Sequence, residues 1–346
     1  MSDIWHQWSN PENAGAGKTS GNSFPGSYQI KDYKKLHQRR YAMGRKILSV
    51  LKKDWQLWIM ILPAIVYIII FCYGPMYGIQ LAFRKYDFSK GLTGGDWVGF
   101  KYFIQYFESP MFWTTLRNTF IISFFTLICG FPAPILLALV VNSLRQQKLK
   151  KVVQTAVYMP YFISTVVMVA ILQILLSPST GVVSGLLKSM HLIPPSINLL
   201  GTPSAFVPVY VLSGIWQSAG WNSIIFIAAL SSVDGQLYDA AKVDGANRWQ
   251  QVIHVELPAL VPTIVILLIM NMGRVLSVGF EKVFLMQNDM NLPVSEVIST
   301  YVFNVGVQSG QFSFGSAVGL FNTVINFAFL MIANMVSKKA ADISLM

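Results

Sequence analysis

The sequence predicts an all-α, polytopic membrane protein of six transmembrane helices with a helical segment projecting into the cytoplasm. Three observations carry that reading: the apolar content, the number of stretches long enough to span a bilayer, and the alternation of basic residues between loops. Of 346 residues, 53% are apolar and 12% charged, and the mean hydropathy is +0.50. That is too apolar for a water-soluble chain of this length. A span needs about 20 mostly apolar residues, and 57–83, 118–141, 152–176, 206–232, 258–280 and 314–336 qualify. All but the fifth are free of charge; the fifth contains Arg274.

The net charge of +11 sorts by loop. Ten of the 26 Lys and Arg residues lie in 1–56, and the inner loops and tail add Arg145, Lys148, Lys150, Lys151, Lys242, Arg248, Lys338 and Lys339. Eighteen on one side against eight on the other place both termini in the cytoplasm. The basic excess is therefore topological, and no nucleic-acid partner is expected. Cys72 and Cys129 fall inside spans and read as packing residues, not a disulfide framework.

The expected organisation is a cytoplasmic tail over 1–56, a membrane domain over 57–338 and a short cytoplasmic tail over 339–346. Residues 9–28 are rich in Gly, Ser, Asn and Pro and are expected to be disordered. Gly15-Ala16-Gly17-Lys18-Thr19 looks like the end of a phosphate-binding loop, but Glu12 stands where that pattern needs Gly. Residues 31–55 repeat Leu36, Met43, Ile47, Leu51 and Trp55 at helical spacing among basic residues. They read either as a helix on the lipid surface or as a solvated lead-in to the first span. The polar character of 1–56 gives no expectation of a cleavable signal peptide.

Outer loop 84–113 carries Trp97, Phe100, Phe103, Phe107 and Trp113, suited to anchoring at the membrane interface or, as the second reading, to docking an external partner. In outer segment 281–313, residues 295–307 are expected to form a short helix across the pore mouth. Pro63, Pro75, Pro132, Pro134, Pro160 and Pro262 bend the spans.

The most patterned segment is inner loop 231–258, SSVDGQLYDAAKVDGANRWQQVIHVELP. Asp234 is placed to cap a helix N-terminus, and Leu237, Ala240, Ala241 and Asp244 follow at helical spacing. Gly245 breaks that helix by taking a left-handed turn. A second run carries Trp249, Val252 and Ile253 to Leu257-Pro258. Small residues allow close approach of another surface, and Trp249 is the kind of bulky anchor that fills a partner's pocket.

Here the chain resembles the permease subunits of binding-protein-dependent ABC importers. Their hallmark is Glu-Ala-Ala, three residues, Gly, nine residues, then Ile-x-Leu-Pro. This chain has Asp239-Ala240-Ala241, Gly245 and Val255-Glu256-Leu257-Pro258 with both gaps kept, departing at Asp239 and Val255. The segments 73–78 (YGPMYG), 97–100 (WVGF) and 315–322 (GSAVGLFN) are similar to the carbohydrate-uptake branch, maltose-permease-like and LplB-type.

The resemblance implies a type I importer fold in a bacterial plasma (inner) membrane and a coupling helix that meets an ATPase. It also implies a second homologous permease, two ATPase subunits that bind ATP and Mg, and an extracytoplasmic solute-binding lipoprotein delivering an oligosaccharide. No cofactor or metal on this chain and no catalysis by it are expected.

Candidate substrate contacts are Trp216, Gln217, Trp221 and Asn222 in the fourth span and Asn271 and Arg274 in the fifth. Rings stack on pyranoses and amides bond hydroxyls; helix–helix hydrogen bonding explains the amides equally well. Arg274 lies about 24 Å along the helix from Pro258. It either snorkels or pairs with Glu281, or it lines the pathway, where it would bond sugar hydroxyls or a uronate carboxylate. Asn322 and Asn326 read as structural.

An ion-coupled secondary transporter is the alternative, but such carriers usually show internal repeats and membrane carboxylates, and the assigned spans contain no Asp or Glu. His6, His37, His191 and His254 show neither metal-ligand nor triad spacing, which argues against a membrane enzyme.

Overall fold

A computed structural model describes residues 55–91, 94–144, 146–194 and 197–341. The tail up to Asp54, with its Gly/Ser-rich stretch and basic segment, lies outside the described residues, as do 342–346. The chain divides into two compact units, 1–76 and 77–346.

In the first unit, α1 (Trp55–Tyr67) runs into a π turn, Ile68–Tyr73, and a single turn, Gly74–Met76. Gly74 N–H donates to Ile69 O, five residues back, and Pro75 has no N–H with which to resume the regular ladder. No side chain of α1 or the π turn is buried. A helix apolar all round is suited to lipid or a partner helix.

The second unit begins with a 3₁₀ segment, Tyr77–Phe83. Phe83 stacks on Trp97 at 5.5 Å and meets Phe100 and Phe103, so these outer-loop aromatics gather around one ring. Next come α2 (Lys101–Glu108), α3 (Met111–Gly130) and α4 (Pro132–Ser143), the last two interrupted at Phe131 where Pro132 and Pro134 each lack a donor. α5 (Gln147–Tyr158), a 3₁₀ turn (Met159–Phe162) and α6 (Thr165–Leu175) follow, then α7 (Val182–Ser189) and α8 (Pro203–Ser231). The inner loop holds α9 (Gly235–Val243), α10 (Arg248–Gln251) and a π turn (Val252–Glu256) that leads into α11 (Leu257–Met272). The outer segment is built from α12 (Phe280–Met286), α13 (Leu292–Ser295), α14 (Ile298–Tyr301) and a π turn (Val302–Gln308), and α15 (Phe312–Ala341) closes the chain. Among the described residues the only bridged backbone is two isolated β-bridges.

Of the six expected spans, four are continuous helical runs, of one or more elements, long and apolar enough to cross a membrane: Trp55–Phe83, Met111–Ser143, Arg248–Met272 and Phe312–Lys339. The expected third span is instead a pair, Gln147–Phe162 and Thr165–Leu175, bent by 98°. Pro160 lies in the turn, and Ser164 restarts the chain as an N-cap, its Oγ accepting from Val167 N–H. Counted as one, the pair makes five. α8 is long enough at 29 residues, but its Ser, Gly, Gln and Asn dilute its apolarity. The expected fifth span, 258–280, ends as a helix at Met272; 273–276 turn, and α12 starts at Phe280. Asn326 of α15 secures this break, accepting from Leu276 N–H at 2.8 Å and donating to Ser277 Oγ at 3.1 Å. Segment 295–307 is helical from Ile298 onward, as α14 and its π turn.

α8 is the central strut. Near its start Phe206, Tyr210 and Val211 pack with Ile122, Val278, Val283 and Met286. Near its end Phe226, Ile227 and Leu230 pack with Ile135, Ala138 and Leu139 of α4 and with Val252 and Leu260. Between the two clusters α8 presses on the end of α5: a Cβ at Gly220 would lie 1.8 Å from the carbonyl oxygen of Val157. No side chain fits against that backbone. Gly220→Ala is expected to destabilise the solubilised protein by about 1–3 kcal/mol, read as a lower melting temperature. Gly185→Ala, with no atom within 4 Å of the added Cβ, should melt as wild type; equal melting of both variants would contradict this packing.

Candidate functional site

The inner loop is organised by local hydrogen bonds. Asp234 Oδ1 accepts from Gln236 N–H at 2.9 Å and caps α9. At the other end Gly245 takes φ +75°. Ala246 N–H donates to Ala241 O at 2.8 Å and Gly245 N–H to Lys242 O at 3.0 Å, a Schellman closure that needs the left-handed residue. Asn247 and Gln250 then form a reciprocal capping box that starts α10. Pro258 has no N–H, and Leu257 N–H reaches Val252 O, so a π turn joins α10 to α11.

These turns leave an apolar and small-residue surface in the open. Val243 is 88% and Trp249 73% exposed, and Leu237, Ile253, Asp239, Ala240, Asp244 and Gly245 are exposed around them. Asp239 pairs with Lys242 at 2.9 Å, both solvated, which contributes little to stability. Ala241 and Leu257 are half-buried, Leu257 against the apolar cluster of α4 and α8, and Pro258 is exposed.

Beneath that surface lies a buried carboxylate. Glu256 has no exposed surface. Its Oε1 accepts from Arg248 Nη2 at 2.7 Å, Asn142 Nδ2 at 2.8 Å and Tyr238 OH at 3.3 Å. Arg248 also donates to Ser143 Oγ at 3.1 and 3.3 Å. Burial, with the Glu256 carboxylate beside it, pushes the Tyr238 phenol above its ordinary pKa, so it stays a donor. The node ties the end of α4, α9, α10 and the start of α11 together. Sequence reasoning saw Glu256 only as a motif position and Arg248 only as a topological charge. It also placed no carboxylate within a span, whereas the continuous helix Arg248–Met272 includes Glu256.

Midway along α8 a cavity of about 510 Å³ opens, bounded by α3, α4, α8, α11 and the 273–282 segment. Gln217, Asn222, Asn271 and Arg274 line it; Trp216 and Trp221 are not among the lining residues. Trp221 stacks on Tyr161 at 4.7 Å and 4° and meets Phe162 edge-on, while Trp216 is 52% exposed. Gln217 Nε2 donates to Ile163 O at 2.8 Å, satisfying a carbonyl at the α5–α6 bend. Asn271 Nδ2 donates back to Leu267 O at 2.8 Å. Arg274 follows the end of α11 at the rim of the helix break and is among the residues that line the cavity. Lys282 also lines it, which sequence reasoning missed because the residue sits outside the assigned spans. Among the described residues no group of three or more His, Cys, Asp or Glu is placed to hold a metal ion.

Removing Arg248 would strand the Glu256 charge. Arg248→Ala is expected to cost about 3 kcal/mol, the low end for a buried pair, because Arg248 is 40% exposed. Adding Glu256→Gln should recover most of that loss in thermal melts; no recovery would contradict the pairing.

Residues 130–341 match the family described as the binding-protein-dependent transport system inner membrane component. The Bacillus subtilis polygalacturonan/rhamnogalacturonan transport system permease protein YteP is 42% identical over 298 residues, 86% of this chain and 92% of the relative. Protein LplB of the same organism is 39% identical over 296 residues, with the same two coverages. Among solved structures, a bacterial ABC transporter involved in import of the acidic polysaccharide alginate superposes with a TM-score of 0.78 at 38% identity, covering 86% of this chain and 99% of that one. With the inner loop, the broken spans and the cavity in place, these matches assign the chain to the family of binding-protein-dependent transport system inner membrane components, multi-pass permease subunits of ABC importers.

Proposed function

We propose that this chain is a translocation subunit for an oligosaccharide, working beside a second homologous permease above two ATPase subunits. Those subunits bind ATP with Mg and hydrolyse it, and an extracytoplasmic solute-binding lipoprotein delivers the sugar. The observation that carries the reading is the surface of α9 and α10. Trp249 and Val243 stand exposed on turns held by the Gly245 closure and the Asn247 capping box, while Val252 and Glu256 beneath are buried. An anchor offered to a partner on a rigid base suits force transfer. Support for a sugar comes from the relatives named above and from a solved alginate ABC transporter in complex with an alginate pentasaccharide-bound periplasmic protein, TM-score 0.77 at 39% identity.

In mechanism, closure of the ATPase pair displaces the Asp239–Trp249 surface. The Glu256 node passes that displacement to α4 and α11, and the cavity beside α8 exchanges its inward opening for an outward one. Both chain termini lie in the cytoplasm on this reading, in keeping with the basic residues of the inner loops. The ion-coupled carrier alternative has no support from the relatives or from the Glu256 carboxylate, which is bound to Arg248.

Gly245→Val forces a β-branched side chain into the left-handed region and is expected to abolish ATP-driven uptake while membrane insertion persists. Trp249→Ala, which leaves the backbone intact, should lower the yield of co-purifying ATPase at least about tenfold, as loss of an interface anchor does. Normal uptake and normal ATPase recovery in both variants would refute the coupling role.

A further inference from the structure

The cavity beside α8 has an unbalanced charge. Among the described residues Arg274 and Lys282 are the two cations that line it, and no Asp or Glu does. Lys282 is 9% exposed. Its Nζ donates to Tyr210 O at 2.8 Å and stands 4.6 Å from the centroid of the Tyr210 ring. Gly214 gives it room, since a Cβ there would sit 3.3 Å from Nζ. Neither contact supplies a negative charge. The salt bridges among the described residues are Lys242–Asp239 and Arg248–Glu256, so no described carboxylate lies within 4.0 Å of Lys282 or Arg274.

A neutral amide could tie α12 to α8 through the Tyr210 carbonyl without the desolvation cost of an ammonium. The charge itself therefore calls for a function. An ammonium has three donors, and one is spent on Tyr210. Arg274 follows the end of α11, in the break that Asn326 secures through Leu276 and Ser277, and its planar guanidinium suits a carboxylate's two oxygens. The neutral polar groups that share the lining, Ser123, Gln217, Ser218, Asn222 and Asn271, suit sugar hydroxyls. The volume falls within the range of small-molecule sites.

We infer that this cavity reads carboxylates, Lys282 and Arg274 selecting acidic, uronate-bearing sugars over neutral ones within the permease itself. The inference rests on the importer reading and adds to it a selection step that does not depend on the delivering protein.

The test is direct binding to the assembled, detergent-solubilised permease–ATPase complex without the solute-binding protein. The probes are trigalacturonate and the same trimer with its carboxyl groups methyl-esterified. Wild type is expected to prefer the acid, with an affinity that falls as salt rises. Lys282→Met and Arg274→Gln are each expected to weaken acid binding about tenfold or more, the loss of one charge-assisted hydrogen bond, without changing ester binding. Lys282→Arg should retain the preference. Equal binding of acid and ester by wild type, or an unchanged preference in Arg274→Gln, overturns the inference; among the described residues Arg274 makes no salt bridge whose loss would unfold the protein. ATP-driven oligosaccharide uptake by the wild-type complex in proteoliposomes is measured alongside. Its absence would count against the importer reading, whereas uptake with no acid preference at the cavity would overturn this inference alone.

Discussion

Removing a carboxylate from water costs several kcal/mol unless charge and hydrogen bonds replace its hydration, and Glu256 is buried where the inner loop becomes a membrane helix. All of the replacement arrives at Oε1, from Arg248, Asn142 and Tyr238; Oε2 has no hydrogen-bond partner. The three donors come from α10, α4 and α9. Satisfying this one charge therefore requires that the loop and the inner ends of two membrane helices keep a fixed relation. The apolar cluster of α4, α8, Val252 and Leu260 fills in around the same junction, adding packing that excludes water from the ion pair and strengthens it.

The junction that Glu256 ties together contrasts with helices that are broken elsewhere. α3 and α4 are interrupted at Phe131, α5 and α6 bend through 98°, and α11 stops at Met272 before the turn that carries Arg274. The cavity lies at the level of these breaks, between the two apolar clusters along α8. Freed backbone groups there are met by side chains: Gln217 serves the Ile163 carbonyl and Asn326 the Leu276 amide. In a bilayer such substitution is what makes irregular backbone tolerable. It also concentrates polar groups where a solute could use them.

What could be read from the sequence follows from the range of the interactions involved. Asp234 as a cap, Gly245 as a left-handed turn and the exposed position of Trp249 are set by neighbours within a few residues, so spacing reveals them. The breaks are only partly legible: Pro160 with Ser164 is a recognisable stop and restart, yet an unbroken apolar run over 152–176 argued for one helix. Glu256 and Lys282 were beyond reach for a different reason. Their partners Asn142 and Tyr210 lie 114 and 72 residues away in sequence, and burial of a charge is invisible until the tertiary fold closes over it. Trp221 shows the converse, a residue with the right chemistry for a sugar that is instead stacked on Tyr161.

If the Glu256 node carries force into the membrane, the loop that holds α9 and α10 moves as one body with the adjoining ends of α4 and α11. Spin labels at Val243 of α9 and Val140 of α4, both exposed, would report it by electron–electron distance measurement in the assembled transporter, with and without nucleotide. One Val243–Val140 distance distribution is expected in both states, even as the transporter changes its opening. A nucleotide-dependent shift in that distance would mean that the loop moves independently of the helices, and the Glu256 node would not be the element that carries force into the membrane.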